Sequence, residues 1–162
     1  MSGWNDLAIA RAIHVVAVVL WIGGVAFVTT TLLPACRAKA GPEQRVALFE
    51  MLEHRFAAQA RLTTLAAGLS GFWLAHRLGA WTRFAAPGDW WWMHLMVAIW
   101  ILFTLMLFVL EPLVLHRWFA AQARRDPAST FARIQRLHRI LLALSLVAVA
   151  GAVAGSHGGW QF

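Results

Sequence analysis

Residues 12–33 read AIHVVAVVLWIGGVAFVTTTLL, 22 consecutive positions without an Asp, Glu, Lys or Arg. An α-helix rises about 1.5 Å per residue, so ~20 mainly apolar residues cross ~30 Å of hydrocarbon. The stretch is therefore expected to be a membrane-spanning helix. A secretory leader has a shorter apolar run, about 7–15 residues, behind a basic cluster. Residues 12–33 have neither feature, and a retained helix is expected.

Three further segments extend this reading. Leu62–Ala75 is uncharged and continues an amphipathic stretch that begins near Pro42. Met93–Leu115 is interrupted only by Glu111 and Pro112, and Ile140 to about Ser156 is uncharged. The expected fold is all-α and integral to the membrane. It is a four-transmembrane-helix up-down bundle in one domain over 1–162, with helices near 6–34, 43–80, 89–118 and 130–157.

Composition agrees. Of 162 residues 60% are apolar and 13% charged, half the roughly one-quarter charged fraction of soluble domains. A water-exposed globule is excluded. One cysteine, Cys36, excludes an internal disulfide, a thiolate zinc or iron–sulfur site and a C-x-x-C-H heme attachment. Seven histidines leave imidazole as the main candidate metal ligand.

The net charge of +7 is explained by topology. Eleven basic residues (Arg37, Lys39, Arg45, Arg55, Arg61, Arg117, Arg124, Arg125, Arg133, Arg136, Arg139) fall on one side of the four expected crossings, and three (Arg11, Arg77, Arg83) on the other. Positive loops stay cytoplasmic. Both termini are therefore expected to be periplasmic, in a bacterial inner (plasma) membrane. The charge meets lipid headgroups of the bilayer, and no nucleic-acid partner is needed. Trp4, Trp81, Trp90, Trp91, Trp92 and Trp160 fall near the outer interface, where indoles form a belt. Trp21, Trp73, Trp100 and Trp118 are left to pack the interior or a cofactor.

The histidines cluster near the expected helix ends. His14, His76, His94 and His157 belong to the outer half; His54, His116 and His138 belong to the inner half. His54 and His76 are 22 residues apart, as are His94 and His116. In a continuous helix that is about 33 Å of rise and returns within ~40° of one face. In an up-down bundle, helices one and three are diagonal, as are two and four. His14 and His94 then form an expected outer pair of heme ligands, with His54 and His138 as an inner pair. Two stacked b-type hemes would carry electrons across the membrane. His76 is a secondary metal candidate. Imidazoles also suit copper or zinc, and terminal histidines also sit at interfaces without ligands, so spacing alone leaves these readings open.

Glu111 is the only acidic residue inside a span. It is either a proton relay or quinone contact, or an ion-pair partner of Arg61, Arg136 or Arg139. Arg61, on the face of His54, is a candidate for binding heme propionate or for snorkelling to headgroups. Pro112 is expected to kink its helix. Thr63, Thr64, Gly68, Ser70 and Gly71, with Gly151 and Gly155, permit close helix contact.

The run Ala12–Gly24, with His14, Trp21, Gly23 and Gly24, resembles the opening helix of a membrane superfamily. That superfamily includes the copper-resistance D family and the HemJ-type protoporphyrinogen oxidases. Phe49–Phe56 before helix two, Gly71–Leu74 within it and Trp92-Met93-His94 opening helix three are similar too. The resemblance implies heme b, with His14 and His94 matching histidines of the pattern and Arg55 matching a basic residue. Two departures count against the oxidase reaction. Met96 replaces a Lys, and Gln135–Arg139 replaces an Asn-Glu-x-Pro entry into helix four. The copper-resistance relatives imply copper handling, although no Met-rich cluster is present.

The function expected is heme b-dependent electron transfer, with one or two hemes, between quinone and a periplasmic redox partner. The alternatives are a HemJ-like protoporphyrinogen oxidase, copper binding or transport through the outer histidines, and a structural subunit. Homo-oligomerisation is compatible with each.

Overall fold

Asp6 opens the first helix, α1 (Asp6–Phe27), and its carboxylate accepts from the Leu7 N–H at 2.9 Å. A negative group there complements the helix dipole. The computed structural model describes residues 6–86, 88, 90–115, 121–122 and 125–157. Among these residues every regular element is helical. α1 runs through a π turn, Val28–Leu32, into α2 (Leu33–Lys39). α3 spans Pro42–Arg77, and a 3₁₀ segment, Ala80–Ala85, follows it. α4 (Trp91–Leu105) continues as a π stretch, Met106–Leu115, and α5 spans Pro127–Ser156. Asp126 caps α5, its carboxylate accepting from the Ser129 N–H at 3.0 Å.

Three of these helical runs, Asp6–Lys39, Trp91–Leu113 and Pro127–Ser156, are long and apolar enough to cross a membrane. α3 falls outside that set because Glu43, Arg45, Glu50, Glu53, Arg55 and Arg61 leave it only a short uncharged stretch. Its second half still presents an apolar stripe outward. Leu62 is 71% and Leu69 73% exposed, with Leu65 and Phe72 beside them. Apolar side chains recurring outward on a helix are solvated by lipid or covered by protein, not by water.

Neighbouring runs pack in opposite directions. Arg77 at the end of α3 pairs with Asp6 at the start of α1 at 2.9 Å. The Trp100 indole of α4 donates to the Thr64 carbonyl of α3 at 2.9 Å. Thr29, in the π turn after α1, reaches the His138 carbonyl of α5 at 3.5 Å. The core follows the long axis in three clusters: Trp92 and Met93 at one end, Trp21, Ile99 and Phe103 midway, Leu33, Phe49 and Phe131 at the other.

Both π stretches accompany a proline. A proline ring clashes with the carbonyl four residues earlier, and a wider turn relieves the clash. Pro34 follows the first π turn, where the Thr29 and Thr30 hydroxyls donate to the Val25 and Ala26 carbonyls at 2.6 and 2.8 Å. Pro112 lies inside the second. The kink expected there takes the form of a register change. A face shared by His94 and His116 requires a continuous α-helix, and the helix changes period from Met106 onward; His116 itself lies outside the described residues. His54 and His76 do share one unbroken helix, α3.

Trp92 is also placed differently from expectation. Instead of standing in an interfacial belt it is buried, with its indole edge against Gly155 and its Cβ near Gly151 on α5. A Cβ at Gly155 would overlap that indole. Gly155→Leu is therefore expected to cost about 1–3 kcal/mol through overpacking. Reversible unfolding in mixed micelles measures this; a variant as stable as the parent would show that Trp92 repacks freely. Trp4, Trp118 and Trp160 lie outside the described residues.

Candidate functional site

Toward the Trp-rich end, α1, α3, α4 and α5 stand apart around a cavity of about 540 Å³. This is within the roughly 300–1,000 Å³ of small-molecule sites. Its walls are apolar: Trp21 and Val18 from α1, Gly68 and Gly71 from α3, Met96 and Trp100 from α4, Ala148 from α5. Exposed Phe72, Leu78, Trp81 and Val97 also line it, so it opens sideways between α3 and α4.

Few polar groups face this space. Ser145 lines it, but its hydroxyl donates to the Leu141 carbonyl at 2.7 Å. The Trp100 N–H is committed to Thr64. The Trp21 and Trp92 indole nitrogens are buried without a hydrogen-bond partner among the described residues. His14 and Arg83 remain.

His14 is held in one orientation. Its Nδ1 lies 2.9 Å from the Ala67 carbonyl and 3.2 Å from Ser70 Oγ. The Ser70 hydroxyl donates to the Ala66 carbonyl, so its lone pair faces the imidazole. Both neighbours of Nδ1 are thus acceptors, and Nδ1 carries the proton. The neutral ring then has its lone pair on Nε2, which has no hydrogen-bond partner among the described residues. Metal-binding histidines are oriented this way, one nitrogen donating to a carbonyl and the other free.

His94 is arranged otherwise. Nδ1 lies 3.1 Å from the Trp90 carbonyl, Nε2 lies 3.2 Å from the Phe84 carbonyl, and the ring meets Phe84 edge-on. It is not among the residues lining the cavity. The expected outer pair, His14 and His94, therefore does not face one space here, because carbonyls of the 3₁₀ segment and its neighbour hold His94.

Of the expected inner pair, His138 has a described side chain. His138 donates from Nδ1 to the Ile134 carbonyl at 3.0 Å and stands edge-on to Phe49. It lines a second cavity of only about 40 Å³, with Phe56, Ala60 and Leu107. That is room for water, and a macrocycle does not fit. The side chains of His54 and Arg55 lie outside the described residues. His76 is exposed on α3. Among the described residues no three His, Cys, Asp or Glu side chains group to hold a metal ion, so the outer histidines do not assemble a copper cluster.

Arg61 is committed elsewhere. Nη2 pairs with Glu111 Oε1 at 2.9 Å, and Nε donates to the Leu107 carbonyl at 3.2 Å. In a π ladder the N–H of residue 112 would serve that carbonyl, but residue 112 is proline. Arg61 supplies the missing donor. Of the two readings open for Glu111, the geometry gives the ion pair. Sequence reasoning counted Ser70 only as a small residue and Arg83 only as a charge. The position of Ser70 in the uncharged half of α3 gave no signal for its contact with His14.

No family model, curated protein or solved structure shows a significant match to the chain.

Proposed function

We propose that the chain is a heme b-binding electron-transfer protein of the membrane, in which His14 would hold the iron and the large cavity would seat one heme. The observation that carries this is His14 in the wall of an apolar cavity, its Nδ1 fixed by Ala67 and Ser70 and its Nε2 without a hydrogen-bond partner among the described residues. The donor set fits the group: a neutral imidazole for iron and apolar walls for a macrocycle, with Gly68 and Gly71 letting Trp100 and His14 lie close against α3. Bound heme supplies a one-electron iron couple. The chain orients His14, excludes water from around it and leaves the side toward lipid open.

In the same proposal the second half of α3 is the fourth crossing, its outward stripe of Leu62, Leu65, Leu69 and Phe72 facing acyl chains. The asymmetry of basic residues puts the Trp-rich end outward, periplasmic in a bacterial plasma membrane, with both termini on that side. The heme then lies in the outer half. A lipid-borne quinone and a partner at the outer face are the exchange partners this position suits. The resemblance to the copper-resistance D and HemJ-type superfamily belongs to the proposal as well.

Hemin titrated into the detergent-purified chain is expected to saturate at one equivalent with a Soret band and reversible reduction. Hemin that partitions no better than into empty micelles, or copper retained without Soret absorbance, would overturn the proposal.

A further inference from the structure

Among the described residues, one cation lining the cavity makes no ion pair. Arg83 lies in the 3₁₀ segment Ala80–Ala85 and lines the cavity. Gly79 puts it there: at φ 60°, a conformation side chains other than glycine rarely adopt, it ends α3 and turns the chain back over the cavity. The guanidinium carbon stands 4.5 Å from the centroid of the Trp90 ring. Stacking of this kind holds the planar group while its N–H edges stay free to donate. Among the described residues Arg77 has Asp6 and Arg61 has Glu111, whereas Arg83 makes no ion pair.

A cation at the rim of an apolar cavity selects amphipathic ligands with an anionic edge, and guanidinium pairs with carboxylate in a two-pronged fashion. We infer that Arg83 anchors the carboxylate edge of the heme, an inference that rests on the heme reading above. It moves the propionate role away from Arg61, whose Nε and Nη2 are engaged by Leu107 and Glu111. The carboxylate edge would then meet Arg83 at the Trp-rich end of the cavity.

The test compares hemin with hemin dimethyl ester, in which both carboxylates are blocked. The full-length chain in phosphatidylcholine nanodiscs is titrated with each, corrected for partition into empty discs. The parent chain is expected to prefer hemin by about tenfold or more, the range of a charge-assisted pair. Arg83→Gln is expected to bind the ester as the parent does and to lose the preference, while Arg83→Lys keeps part of it. A merely structural Arg83 would weaken both ligands alike, and that result overturns the inference, as does a preference unchanged in Arg83→Gln. If Arg83→Gln instead strips co-purified phosphatidylglycerol and leaves the preference intact, the cation serves a lipid phosphate and the inference falls. A parent chain that binds neither compound overturns the heme reading and this inference with it; a parent that binds both alike overturns this inference only.

Discussion

His14→Ala is expected to lower hemin affinity by roughly 100-fold or more and to remove the Soret band of the purified protein. Loss of an outer-shell partner alone costs about 10–100-fold at metal sites, and here the ligand itself is removed. Free imidazole added to the variant should restore the band, because the truncated side chain leaves space beside the cavity. Ser70→Ala separates ligation from orientation. The Ala67 carbonyl still accepts from Nδ1, at 2.9 Å, so the band should persist with affinity reduced by about tenfold. His138→Ala should leave stoichiometry unchanged, since its cavity is of water size. A His14→Ala protein that keeps its band would remove His14 from the site, and loss of the band in His138→Ala would move the heme to the opposite end.

Much of the architecture was legible because lipid solvation leaves a coarse signal. The uncharged run 12–33 lies inside the helical stretch Asp6–Lys39, and the expected helix near 130–157 corresponds to Pro127–Ser156. Helix periodicity does not reveal a change of period. Pro112 announced a disturbance, but a kinked α-helix and a π stretch read alike in sequence, so the projected face of His94 and His116 had no warrant past Met106.

The site was half legible. His14 could be singled out because an uninterrupted apolar run follows it, and Trp21 and Trp100, left open as cofactor packing, do line the cavity. His94 pairs with His14 by position in the sequence, yet its nitrogens meet carbonyls of Trp90 and Phe84. The Phe84 contact depends on how the loop after Gly79 folds back, which helix spacing does not contain. Arg83 was hidden for the same reason.

Arg61→Leu is the second substitution with a large expected effect. It removes two donors at once, leaving Glu111 unpaired and the Leu107 carbonyl without its hydrogen bond. The pair is about one-third exposed on each side, so it falls between surface pairs, worth less than ~1 kcal/mol, and buried ones, which cost about 3–5 kcal/mol to break. A loss of about 1–3 kcal/mol is expected, read from unfolding in mixed micelles. Glu111→Leu should cost less, because the freed Arg61 has a long apolar stem and can reach the headgroups, whereas a carboxylate left behind has a short one. The double variant Arg61→Leu with Glu111→Leu should then be more stable than Arg61→Leu alone, a coupling of at least ~0.5 kcal/mol. It should still fall short of the parent by the orphaned carbonyl. Pro112→Ala isolates that remainder: an alanine there has an N–H for the π-ladder acceptor, so it should recover stability in the Arg61→Leu background. If the single losses simply add, and Pro112→Ala recovers nothing, Arg61 neither neutralises Glu111 nor repairs the helix, and the π stretch must be held by packing of Phe103 and Leu107 instead.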